Sequence, residues 1–86
     1  MVKIHIASAG NVEVPAYLTL LEKGYSVRWE RKSNDNELWF ATKGDCEFIG
    51  GGPIELLGIA CMYESRGNNW KATDEQIDAF VQKYEV

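Results

Sequence analysis

The chain has 86 residues and a formal net charge of −4, because 13 acidic side chains outnumber 9 basic ones. Hydrophobic residues make up 45% and charged residues 26%, an ordinary globular composition that excludes the intrinsically disordered class. The length predicts one domain over residues 1–86. The acidic balance argues against a nucleic-acid partner, since such proteins usually carry a basic stripe.

The first residues lack the charged and apolar regions of a signal peptide, and no apolar run approaches the roughly 18 residues that a membrane helix needs. We therefore expect a cytoplasmic protein with no membrane partner. A single histidine and two cysteines without CxxC spacing predict no metal site, and no motif indicates a cofactor.

The N-terminal quarter predicts a strand, a loop and a short helix. Apolar and polar side chains alternate over Val2–Ala7, which is typical of a strand. The segment Ser8–Val14 reads as a loop. A helix is expected over Pro15–Lys23, since proline fits a first helical turn and Gly24 can end the helix in a left-handed conformation.

The middle of the chain predicts a β-hairpin followed by a further strand. Alternation over residues 25–30 indicates a strand, the turn formers of Ser33–Asn36 reverse the chain, and Glu37–Thr42 returns antiparallel to it. A short fourth strand is expected over Cys46–Ile49.

Two helices complete the predicted elements. The first, Pro53–Glu64, follows a run of glycines and is apolar on nearly all sides, which is typical of a helix that is buried or packs on a partner. The second begins after Thr73, which with Gln76 has capping-box spacing. It has one apolar stripe, and we expect that stripe to dock on the core: Ile77, Phe80, Val81 and Tyr84.

The element order is therefore β-α-β-β-β-α-α, and it predicts an α/β fold (α+β-like) with a mixed sheet of three or four strands and three helices. The first helix would cross over between two parallel strands, Val2–Ala7 and the strand over residues 25–30.

Two loops form the candidate ligand site. Glycines before a helix let the backbone approach a ligand closely, and the free N–H groups at the helix start favour an anion. If the first and fourth predicted strands are parallel, both loops leave the same edge of the sheet. The candidate site residues are Ser8, Asn11, Gly50, Gly51, Gly52 and Glu55, with Glu13 beside them. A plain helix-start role for Glu55 is the competing interpretation.

Two segments resemble the nucleoside deoxyribosyltransferases: Ile-His-Ile-Ala-Ser-Ala-Gly at residues 4–10 and Gly-Gly-Pro-Ile-Glu-Leu-Leu-Gly-Ile-Ala at residues 51–60. The resemblance implies a nucleophilic role for Glu55. It covers about a fifth of the chain, and the strand that follows this helix in the family is replaced here by Arg66–Trp70, so the activity is not carried over.

Two tryptophans are candidate interaction residues. Trp39 lies on a predicted strand with apolar groups on both faces, and Trp70 lies in a polar loop; tryptophan is enriched at binding hot spots. With no complete catalytic set, we favour a non-enzymatic protein-interaction module that binds another protein or itself. The alternative is a small-ligand protein, for an anion or a nucleotide or nucleoside, or a minimal enzyme using Ser8–Glu13 and Gly50–Glu55.

Overall fold

A three-stranded antiparallel sheet lies at the centre of the computed structural model, which describes residues 3–31 and 37–85. The strands are β1 (Ser26–Arg31), β2 (Glu37–Lys43) and β3 (Cys46–Gly50), in the order β1-β2-β3. The hairpin of β1 and β2 and the short strand after it are confirmed, while the predicted turn at Ser33–Asn36 lies outside the described residues. The register sets Trp39 opposite Trp29 on one side and opposite Gly50 on the other.

Three helices accompany the sheet: α1 (Glu13–Glu22), α2 (Pro53–Arg66) and α3 (Asp74–Tyr84). A single 3₁₀ turn over Gly67–Asn69 joins α2 to the segment before α3. The protein is thus a small α+β domain of three strands and three helices. In the described part of the chain, no helix combines the length and the apolar character needed to cross a membrane.

Helix α1 begins two residues earlier than the sequence predicted. Pro15 lies inside its first turn, where the missing N–H costs nothing, so the helix extends back to Glu13. Its end is as expected, because Gly24 has φ of +97°, a conformation that suits glycine.

The core lies between one face of the sheet and the two helices α1 and α2. Leu20 and Leu56 are fully buried there and contact Ala41 of the central strand. Side chains on the same sheet face pack around them, since every second residue of a strand points the same way. The remaining core members are Tyr25 and Ala60, with Val27, Trp39, Phe48 and Leu57 partly buried against them.

On the opposite sheet face, Phe40 is covered by a side chain of the sheet itself. The Arg28 guanidinium lies 4.0 Å above the centre of the Phe40 ring, a cation–π contact, and Phe40 is buried. Arg28 also pairs with Glu30 and Glu47, so its charge is balanced while its stem shields the ring.

The N-terminal segment differs from the prediction. Residues 3–9 form no strand, and Ile4 and Ile6 are 75% and 85% exposed; Met1 and Val2 lie outside the described residues. The sheet is accordingly antiparallel throughout rather than mixed. The alternating pattern is a genuine strand preference, but a strand is stable only when it pairs with another and buries one face.

Helix α3 forms where the sequence predicts it, but its packing differs from the prediction. The capping box at Thr73 and Gln76 is present as predicted, yet every residue of α3 is exposed. Within residues 3–31 and 37–85, no other element packs closely on it, and an open groove of about 760 Å³ separates its start from the end of α2. The prediction that its apolar stripe docks on the core is wrong. That stripe, called the α3 stripe below, consists of Ile77, Phe80, Val81 and Tyr84.

These two unpacked ends give the chain an unusually large surface. Its accessible area is 7027 Å², whereas a compact monomer of its 9.7 kDa mass would expose about 5,100 Å². The radius of gyration is 15.6 Å, compared with about 12 Å for a compact chain of this length. The monomer therefore leaves about 1,900 Å² uncovered relative to a closed fold.

Candidate functional site

An open pocket of about 460 Å³ lies between the start of α1 and the central strand. Helix α1 contributes Glu13 and Tyr17, which are four residues apart and therefore share one side of the helix. Strand β2 contributes Glu37 and Trp39, which are two residues apart and therefore share one sheet face. Each element thus supplies one carboxylate and one aromatic ring.

The floor of the pocket is the glycine segment before α2. Gly51, Gly52 and Pro53 line it, and Gly52 and Pro53 are buried. The Gly51 N–H donates a 2.8 Å hydrogen bond to Oε1 of Glu55, so the carboxylate folds back over the start of its own helix. This contact pairs the N–H of the residue before the N-cap Gly52 and places a negative charge at the positive end of the helix dipole.

The glycines leave room for carboxylates of the chain itself. A Cβ on Gly50 would lie 3.1 Å from Cβ of Glu55, and a Cβ on Gly52 would lie 3.2 Å from Oε2 of Glu13. The close approach that the sequence predicted for a ligand is thus made by Glu55 and Glu13. An anion at this loop would have to replace Glu55 at the Gly51 N–H and lie near a second negative charge.

A guanidinium already pairs with Glu37, one of the residues that line the pocket. Nη2 of Arg31 lies 3.4 Å from Oε1 of Glu37, and the Arg31 guanidinium carbon lies 5.5 Å from the centre of the Trp29 ring. Trp29 in turn packs beside Trp39, with ring centres 6.3 Å apart. Both members of the Arg31–Glu37 pair are largely exposed, so the pair is weak and leaves the pocket open.

The structure brings together only some of the predicted site residues. Gly51 and Gly52 line the pocket, while Gly50 and Glu55 lie close to them without lining it. Ser8 and Asn11 are exposed residues of the segment before α1, and among the described residues neither makes a hydrogen bond nor lines the pocket.

The two predicted interaction tryptophans lie at different places. Trp39 lines the pocket, which lies at the start of α2. Trp70 is half-buried beyond the end of α2, with the Lys71 ammonium 5.7 Å from its ring centre. Because the 14 residues of α2 span about 21 Å, these tryptophans do not belong to one surface.

Tyr17 and Glu37 were missed as candidate site residues. The sequence contains two separate patterns that could have indicated them: Glu13 with Tyr17 at helical spacing, and Glu37 with Trp39 at strand spacing. Their meeting depends on how α1 packs over β2, which no local pattern encodes.

A second polar cluster ties the C-terminal half of α2 to the junction of α1 and β1. Lys23 Nζ donates to Oε1 of Glu64 at 2.8 Å, and Tyr25 Oη donates to Oε2 at 3.0 Å. The bond from Lys23, with that from Tyr25, holds the pKa of Glu64 below its usual value. Burial, together with Glu64, raises the pKa of Tyr25 to about 12. The bonds join side chains from the ends of α1 and α2, so we interpret the cluster as a structural clasp.

Metal chemistry and a family assignment receive no support. In the described part of the chain, no group of three or more His, Cys, Asp or Glu residues is arranged to hold a metal ion. No protein-family model, curated protein or solved structure matches the chain. The resemblance to nucleoside deoxyribosyltransferases is therefore not supported, and function is inferred from geometry.

Proposed function

We propose that the chain is a cytoplasmic protein-interaction module that self-associates through the α3 stripe. The observation that carries this proposal is a well-capped amphipathic helix whose apolar side is covered by nothing in the described chain. Phe80 and Tyr84 are 59% and 56% exposed, and their rings lie 5.0 Å apart on that side.

An uncovered stripe of this kind needs a packing partner. Helix α3 has 11 residues, and isolated helices shorter than about 12–15 residues are marginal in water. Most helical stability in proteins comes from burial of the apolar face. A second copy supplies such a surface, because a stripe on the twofold axis of a dimer packs against itself.

The exposed area fits an interface of dimer size. The chain exposes about 1,900 Å² more than a compact monomer, and two chains together would have about 3,800 Å² to cover. Obligate homodimers bury about 2,000–5,000 Å² in total and have apolar interfaces. Ile4 and Ile6 add exposed apolar surface at the other end of the chain.

The test is sedimentation velocity over about 1–200 μM protein. We expect the wild type to convert from monomer to dimer over this range and Phe80→Asp to remain monomeric, because it places a charge in the stripe. The matched control is Gln82→Asp, which makes the same change of charge on the opposite side of α3 and is expected to dimerise like the wild type.

Two results would contradict self-association through the stripe. One is a wild type that remains monomeric throughout, which would direct the search to a different protein as partner. The other is a Gln82→Asp variant that loses association as completely as Phe80→Asp, which would place the effect in overall charge.

A further inference from the structure

We propose that the pocket between α1 and β2 binds an arginine side chain of a partner protein. This goes beyond self-association and relies on the proposed function only in assigning the arginine to a protein. The pocket lies at the start of α2, whereas α3 follows the end of α2, and no residue of the α3 stripe lines the pocket.

The walls of the pocket suit a planar cation. Tyr17 and Trp39 line it from two different elements, and its volume of about 460 Å³ is that of a small-molecule site. A guanidinium stacks on aromatic faces and is more weakly hydrated than an ammonium, so it enters an aromatic pocket at lower cost.

The charges of the pocket select a cation over an anion. Glu13 and Glu37 both line it, and of the residues 3–31 and 37–85 no basic one does, while Arg31 pairs with Glu37 beside it. The Glu13 carboxylate makes no hydrogen bond or ion pair with any residue of 3–31 or 37–85. The N-terminus of α2, which would otherwise attract an anion, already has the Glu55 carboxylate in its first turn, bonded to the Gly51 N–H. A ligand guanidinium can donate to Glu13 in the fork geometry that carboxylates accept.

The chain itself repeats this mode of recognition at two places. Arg31 lies against the Trp29 ring and the Glu37 carboxylate, beside the pocket. Arg28 lies over Phe40 and pairs with Glu47 on the other sheet face. Both place a guanidinium against a ring and a carboxylate, and Trp39 and Glu13 offer a ring and a carboxylate in the same pocket.

The probe is the peptide acetyl-Gly-Arg-Gly-amide, titrated into ¹⁵N-labelled full-length protein in low-salt buffer. We expect the Trp39 indole signal and the amides of Gly51 and Gly52 to shift together and saturate, with a dissociation constant on the order of 1–10 mM. The citrulline peptide, which has nearly the same shape without the charge, is expected to leave these signals unchanged.

Two variants of equal charge locate the site. Glu13→Gln is expected to weaken the arginine peptide about fivefold or more, since it removes the carboxylate that faces the pocket. Glu22→Gln removes a carboxylate from the exposed far end of α1 and is expected to bind like the wild type. The dispersion of the amide spectrum shows that each variant is folded.

The proposal is overturned if the citrulline peptide produces the same shifts, or if Glu22→Gln weakens binding as much as Glu13→Gln. It is also overturned if acetyl-Gly-Lys-Gly-amide binds as tightly, because the pocket would then recognise only positive charge. The titration is repeated on Phe80→Asp, where we expect unchanged binding. The loss of self-association and the loss of arginine binding are therefore separate results.

Discussion

The segment from α1 through α2 and the two ends of the chain have similar apolar patterns, but only the segment from α1 through α2 buries its apolar side chains. Helices α1 and α2 have apolar sides that pack on the sheet and bury Leu20 and Leu56 completely. Helix α3 has a clearer apolar stripe and a better cap, yet its stripe remains exposed. An amphipathic pattern thus indicates that a helix needs a covering surface, and it does not say whether that surface belongs to the same chain.

The largest expected effect is on the free energy of unfolding, and it distinguishes the core from α3. Leu56→Ala is expected to lower the free energy of unfolding by about 2–5 kcal/mol, because it leaves a cavity around a fully buried position. Ile77→Ala, on the α3 stripe, is expected to lower it by less than about 0.5 kcal/mol. The measurement is denaturant unfolding at a protein concentration low enough to keep the chain monomeric. Equal losses in the two variants would mean that α3 belongs to the core.

A smaller effect concerns the cap of α3. The Gln76 N–H donates to Oγ1 of Thr73 at 3.2 Å, and Thr73→Ala removes this acceptor at a local cost of about 1 kcal/mol. Because α3 packs on nothing in the described chain, we expect lower helicity over residues 74–84 by NMR chemical shifts and an unchanged midpoint of global unfolding. Thr73→Ser keeps the hydroxyl and is expected to retain the helicity. A large shift of the global midpoint would contradict the separation of α3 from the core.

The smallest expected effect is the loss of stability when the clasp at Glu64, which joins the ends of α1 and α2, is removed. The folded state lowers the pKa of Glu64, so its contribution to stability is complete above the unfolded value near 4.5 and is lost as the pH falls through the lower folded value. Glu64→Gln is expected to be less stable than the wild type at pH 7, with the difference narrowing below about pH 4.5. The measurement is thermal unfolding from pH 7 to pH 3. A difference that is constant over this range would contradict the clasp.

The stabilisation that the same clasp provides is expected to be lost at high pH in the wild-type protein. The folded state raises the pKa of Tyr25 to about 12 from 10.0, so the stability that comes with its protonated hydroxyl is present below pH 10 and is lost as the pH rises towards 12. The pKa of Tyr63 is also raised, by its hydrogen bond with Cys46, so absorbance titration of the tyrosines is expected to show more than one late-titrating group, of which the one near pH 12 disappears in Tyr25→Phe. A group that still titrates near pH 12 in that variant would assign this pKa to a different tyrosine.

The elements that were predicted correctly are those set by neighbouring residues. The hairpin of β1 and β2, the start of α2 at Pro53 and the capping box at Thr73 all depend on turn formers, a proline or side chains three residues apart. The failures concern contacts between distant segments. The predicted strand over Val2–Ala7 has the right alternation, but residues 3–7 form no strand, and the α3 stripe has the right spacing, but nothing in residues 3–31 or 37–85 covers it.

The candidate site shows the same difference between local sequence patterns and contacts between distant segments. The glycine segment and Glu55 were predicted because they are adjacent in sequence, and Trp39 because of its residue type. The facing arrangement of Glu13 with Tyr17 and Glu37 with Trp39 could not be predicted, since it depends on the packing of α1 over β2. This arrangement is the reason why we propose a cation as the ligand, where the sequence had predicted an anion.

The most direct test of the division between core and α3 is hydrogen exchange of the backbone amides at two protein concentrations. At about 1 μM we expect the amides of α3 to exchange almost as fast as in an unfolded chain, while those around Leu20 and Leu56 remain protected. At about 200 μM, the amides of α3 are expected to gain protection as the stripe becomes covered by a second copy. Protection of α3 that equals that of the core at the lower concentration would contradict the account, because α3 would then be docked within a single chain.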